Sequence, residues 1–139
     1  MTGLLVGELN YKLCKKIATI RYEEAIALCN AGQYSGAYYL AGYAIELAIK
    51  GYYCKGNKFP PKAEVVKNLY SHDLNLLLGT TGLKGEFDKD VKTNSTLQSN
   101  WGNLKDWSEE SRYVIYKQRE AKSLIKSVGI ILKWIQTKW

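Results

Sequence analysis

Residues 33–54 read QYSGAYYLAGYAIELAIKGYYC, and this stretch decides the fold. Ala37, Ala41, Ala44 and Ala48 recur in steps of four, three and four, and Gly51 follows three residues on. That spacing keeps them on one face of a helix. A face of small side chains lets a second helix approach closely. Leu40, Tyr43 and Leu47 run beside it, so two faces call for burial and the helix belongs at the centre of a bundle. Gly36 and Gly42 each cost a helix interior about 1 kcal/mol, which tertiary packing must offset.

Outward from this segment the chain continues in helical periods. A first helix is expected from Leu13 to Cys29, with Leu13, Ile17, Ile20, Ala25, Leu28 and Cys29 inward and Gly32 closing it as a C-cap. After the central helix, Gly56, Asn57, Pro60 and Pro61 form a stop, and residues 62–69 read as a turn or two of helix. Ser71 can cap a short helix carrying Leu74, Leu77 and Leu78, which Gly79 and Gly82 close. Leu83, Phe87 and Val91 begin a fourth helix, continued by Leu97. Trp101 to Tyr116 reads as an irregular connector, with a short helix at most. The last helix runs from Gln118 to Trp139 on a stripe of Ala121, Leu124, Ile125, Val128, Leu132 and Ile135, about 33 Å long. The expectation is one all-α domain over residues 1–139, an up-and-down bundle of four to five helices.

Composition agrees. The 139 residues are 46% hydrophobic, enough for an ordinary core. Twenty basic residues against 13 acidic ones give a charge of +7, which suits anionic partners or simply a solvated basic surface. Cys14, Cys29 and Cys54 are odd in number, and no C-x-x-C pair is present. They read as small apolar side chains in a reducing cytosol, and no metal or cofactor is called for. Leu4, Leu5 and Val6, followed by Glu8 and Lys12, are too short an apolar run for a signal peptide or a membrane span. A cytoplasmic location with no membrane contact is expected.

Three stretches together resemble the HEPN domain family, as found in short prokaryotic HEPN proteins, over nearly the whole chain. They are residues 32–50, the triplet His72-Asp73-Leu74, and Trp107-Ser108-Glu109-Glu110-Ser111-Arg112-Tyr113 leading into a final helix with Trp134, Ile135 and Trp139. The resemblance implies a HEPN-like helical bundle that is usually a homodimer. It implies a defence or toxin–antitoxin setting, often with a nucleotidyltransferase partner. Some members are metal-independent ribonucleases, and others bind RNA or nucleotide without cutting.

Ribonuclease members carry an Arg followed about four to six residues later by a His. The His moves the proton of a 2′-hydroxyl while the Arg holds the phosphate as charge builds. Here Arg112 fits the Arg position, but the His distance holds Lys117, Gln118 and Arg119, none of which suits proton transfer near neutrality. The reading is therefore a non-catalytic binding or accessory protein. A ribonuclease using Arg112 with an atypical second residue, or a plain interaction module, are the alternatives.

The remaining candidates each carry two readings. His72, the only His, either joins a site with Arg112 or, first in order, helps start the short helix beside Ser71. Glu46 and Lys50 stand in the favoured order for a helical ion pair. If that pair is buried, Arg112 is a natural further partner for Glu46. Trp107, Tyr113 and Tyr116 either stack a base beside Arg112 or pin the connector to the core. Lys117 stands at the start of the last helix, and Arg119, Lys122, Lys126 and Lys133 form its outer basic stripe, which either follows a phosphate backbone or is solvated. Tyr34, Tyr38, Tyr39, Tyr43, Tyr52 and Tyr53 are too many for one core, and tyrosine favours interfaces. The chain is thus predicted to dimerise partly through them. Light scattering at tens of micromolar checks this, and a monomer there would count against it.

Overall fold

A computed structural model describes residues 11–56 and 71–139 of the chain. The apolar run at residues 4–6, the stop at Asn57, Pro60 and Pro61, and the turns expected over 62–69 lie outside the described residues. Within them are six α-helices and no strand: α1 (Tyr11–Asn30), α2 (Tyr34–Gly56), α3 (Leu74–Thr80), α4 (Leu83–Asp90), α5 (Ser95–Leu104) and α6 (Gln118–Gln136). A 3-10 helix, Glu109–Tyr113, lies between α5 and α6. The all-α bundle expected from the sequence is what forms, with one helix more than the upper count.

α2 is the hub. It packs against α1, α6, α3 and the 3-10 helix, and every residue from Ala44 to Gly51 is buried. Ala37, Ala41, Ala44 and Ala48 are fully buried, as the spacing required. Against them α1 turns Cys14, Ala18, Ala25 and Cys29. Cys29 shares a cluster with Ala37, and a Cβ on Gly51 would stand 3.1 Å from that of Cys14. Two antiparallel helices thus meet across small residues at both ends. This corrects the inner face assigned to α1: Leu13, Ile17 and Leu28 are only partly buried and Ile20 is 37% exposed. Close approach admits the small side chains at the seam and moves the large ones to its flanks.

The turn between α1 and α2 is as read. Gly32 has φ +80°, a left-handed conformation that glycine adopts without steric cost. The Gln33 and Gly32 amides donate to the Leu28 and Cys29 carbonyls at 2.8 and 3.1 Å, the paired bonds of a Schellman cap.

The second half departs from expectation. Leu97 does not continue the fourth helix. α4 stops at Asp90, and Asn94, extended at φ −135°, opens the separate helix α5. Leu97, Trp101 and Leu104 form the buried face of α5. Ser71 is not the cap of α3 either. Asp73 accepts from the Leu76 amide at 3.1 Å, while Ser71 Oγ accepts from the Asp73 amide at 2.9 Å. A carboxylate is the stronger partner for unpaired amides at a helix start.

α6 lays Leu124, Val128, Ile131, Leu132 and Ile135 into the core; Ile125 is only partly buried. Its polar contacts to α5 run through Asn103 Nδ2, which donates to Ser127 Oγ at 2.8 Å, and Ser127 Oγ, which donates to Asn100 Oδ1 at 2.9 Å. Beyond α6, the Trp139 indole donates to the Ala48 carbonyl of α2 at 3.1 Å.

The stretch from Trp107 to Tyr113 is held by one aromatic anchor. Trp107 is 3% exposed, and its ring carbons lie 2.3 Å from where a Cβ on Gly42 would stand. That contact accounts for a glycine in the middle of a buried helix. Gly42→Ala should therefore destabilise the protein by about 1–3 kcal/mol through overpacking. Gly102→Ala on α5, where a Cβ meets nothing within 4 Å, should stabilise it by about 0.5–1 kcal/mol. Paired denaturant melts check both signs.

Candidate functional site

The site starts from a buried carboxylate. Glu46 sits midway along α2 and is 1% exposed. An ionised carboxylate there is tolerable only if paired and hydrogen-bonded. Lys50, one turn on, supplies its Nζ to Oε2 at 3.1 Å. His72, just ahead of α3, places Nδ1 2.8 Å from the other oxygen.

His72 faces a second carboxylate. Its Nε2 lies 3.3 Å from Oε2 of Glu109, in the first turn of the 3-10 helix. The same Glu109 oxygen lies 3.8 Å from Nη2 of Arg112. A line of paired polar side chains thus runs outward: Lys50, Glu46, His72, Glu109, Arg112. It begins in the core and ends at a guanidinium whose side chain is 48% exposed. Arg112 also stands 5.2 Å from the ring centre of Tyr113, within cation–π range. Tyr113 is 78% exposed and Ile115 is 91% exposed.

Beside this line opens a cleft of about 380 Å³, walled by His72, Asn75, Lys105, Trp107 and Glu109 among others. Neither Arg112 nor Tyr113 lines it. Glu109 therefore separates the cleft from the exposed Arg112 ledge.

Several sequence expectations find their answer here. Arg112 does not pair with Glu46; Lys50 and His72 fill that role, and Arg112 is tied to Glu109 instead. His72 does more than start the short helix, because it bridges α2 to the 3-10 helix. Trp107 is packed over Gly42 and also walls the cleft. Tyr113 is not packed, since its ring projects outward. Tyr116 leaves the Arg112 cluster and stacks on Tyr38 at 3.6 Å between ring centres. Burial, then the charge and hydrogen bond of Tyr116, push the Tyr38 phenol up to about 12. The α2 tyrosines are each half-buried rather than openly exposed, and Tyr39 packs between Tyr43 and Trp107.

The basic candidates form a second group. Lys117 is the N-cap residue of α6, its amide donating to Glu120 at 2.9 Å. Lys117, Arg119, Lys122, Lys126 and Lys133 are all exposed. Arg119 borders a separate cleft of about 360 Å³ with Tyr38, Asn103 and Ser123. Glu109 was not singled out by sequence, although it precedes Arg112 by three residues, the spacing of a local ion pair.

The fold and site describe an all-helical domain with a line of paired polar side chains reaching an exposed Arg beside an aromatic ring. Residues 11–138 match the HEPN domain family, and the chain belongs to it. No curated protein and no solved structure matches the sequence significantly. Among the described residues, no helix is long and apolar enough to cross a membrane.

The buried pair yields a prediction. Lys50→Met leaves Glu46 without its buried cation and should cost about 3–5 kcal/mol. The double variant Glu46→Met/Lys50→Met should recover most of that loss, because neither charge is then stranded. Urea melts of the three proteins check the order.

Proposed function

We propose that the chain is a non-catalytic HEPN-type binding protein that contacts RNA or nucleotide through Arg112 and Tyr113. In this reading it acts in the cytoplasm as a homodimer, in a prokaryotic defence or toxin–antitoxin setting, beside a nucleotidyltransferase partner. One observation carries it: His72 Nε2 and Arg112 Nη2 converge on a single carboxylate oxygen. Arg112 and, where its Nε2 carries a proton, His72 donate equally well to a phosphate oxygen. The exposed Tyr113 ring next to them offers a base a stacking face. The lysines of α6 extend the basic surface available to a phosphate backbone.

The binding reading stands ahead of catalysis for two reasons. Positions 117–119 are Lys, Gln and Arg, and the one His has both ring nitrogens against carboxylates. A second reading, an active ribonuclease, draws on the same ring. Buried Glu46 anchors Nδ1 and leaves Nε2 on the outer side, against the Glu109 carboxylate that also meets Arg112, and release of that carboxylate would free Nε2 as a proton shuttle.

Labelled single-stranded RNA titrated with the purified protein tests both. Binding that weakens with salt is expected. Arg112→Ala should weaken it and flatten the salt slope by about one. Binding unaffected by Arg112→Ala would overturn the assignment of the site. RNA fragments that vanish in both Arg112→Ala and His72→Ala would establish the ribonuclease instead.

A further inference from the structure

The seam between α1 and α2 holds two thiols that the binding reading does not use. Cys14, in the first turn of α1, is fully buried, and Cys54, in the last turn of α2, is 8% exposed. Gly51 lets the helices close here, its position lying 3.1 Å from Cys14 Cβ for an added Cβ. Cys54 follows Gly51 by three residues, so it shares that face of α2. The two thiols are near enough for each to act on the ionisation of the other. Cys29 stands apart, with Ala37 and Ala121 at the other end of the seam.

We propose that Cys14 and Cys54 form an oxidisable pair that a peroxide converts to an intrachain disulfide clasping α1 to α2. The chemistry has a direction. The Cys14 thiol, helped by the charge of Lys50, pulls the Cys54 thiol down, while Cys54 and burial hold Cys14 up. Cys54 is also the more exposed of the two. Its thiolate attacks one oxygen of hydrogen peroxide, the O–O bond breaks, and the leaving hydroxide takes a proton to become water. Cys14 then loses its proton and attacks the Cys54 sulfenic sulfur. The S–S bond forms, the S–O bond breaks, and the departing hydroxide takes that proton as a second water. Two thiols and one peroxide give one disulfide and two waters, so the sulfurs are oxidised and the peroxide reduced. Nearby, Lys50 links this pair to the functional line, since it also holds Glu46.

The folded wild-type chain is treated with hydrogen peroxide, unfolded, alkylated and mapped by mass spectrometry. The expected product is a monomer lighter by two hydrogens, with Cys29 alone alkylated and a peptide linking Cys14 to Cys54. Dithiothreitol should reverse it. Cys29→Ser should still form the link, and Cys14→Ala or Cys54→Ala should not. The oxidised wild type should melt at a higher temperature than the reduced protein, because the clasp closes a long loop. Three alkylated thiols after peroxide treatment, or a link through Cys29 or between chains, would overturn the proposal. Mapping of the wild type alone decides this, so a variant that fails to fold does not obscure it.

Discussion

The close contact of α1 with α2 is the constraint from which the rest of the bundle follows. Cys14, Ala18, Ala25 and Cys29 meet Ala37, Ala41, Ala44, Ala48 and Gly51 across a seam lined mainly by small side chains, with Leu28 and Trp139 reaching its ends. With one side of α2 taken by a near neighbour, its Ile45, Leu47 and Ile49 must find cover elsewhere. α6, α3 and the 3-10 helix supply that cover. Two full turns of α2 are then wrapped on every side. Helix interiors of this kind carry no free backbone polar groups, so nothing opposes burial except the side chains themselves.

Two of those side chains are charged, and their burial shapes the surface. Glu46 and Lys50 neutralise each other at one carboxylate oxygen, which leaves the second in need of a donor. His72 meets that need and so fixes where the chain re-enters before α3. The far nitrogen of the ring then sets the position of Glu109, and Glu109 that of Arg112. The exposed guanidinium is thus connected to the core by a sequence of pairings. Exposure to water rises outward from Glu46 along the line and screens the outer pairs.

How much of this was legible differs by element. α2 could be read because alanine recurs at helical spacing with no competing signal, and Gly32 because it follows the last periodic residue of α1. The buried face of α1 could be read only in part, through Ala25 and Cys29 but not Cys14 and Ala18. Its leucines and isoleucines suggested a greasy inner face, whereas the seam selects for size and took the cysteines and alanines. α5 was hidden by Asn100, Gly102 and Asn103, residues of low helix propensity that interrupt its pattern. Yet Leu97, Trp101 and Leu104 keep helical spacing, and the asparagines face Ser123 and Ser127. For the site, Arg112, His72, Glu46 and Lys50 were all nameable from residue type. Their connection was not, because it runs through Glu109 and depends on two segments far apart in sequence meeting at α2.

The seat of Trp107 on Gly42 has one more consequence. Glu109 and Arg112 follow that indole by two and five residues, so the tryptophan acts as a rivet from which the outer charges are measured. Position 42 is then a remote dial. Added bulk there would shift the indole and, with it, the Glu109 and Arg112 that follow, so the outer end of the line of pairings is seated on a residue with no side chain at all.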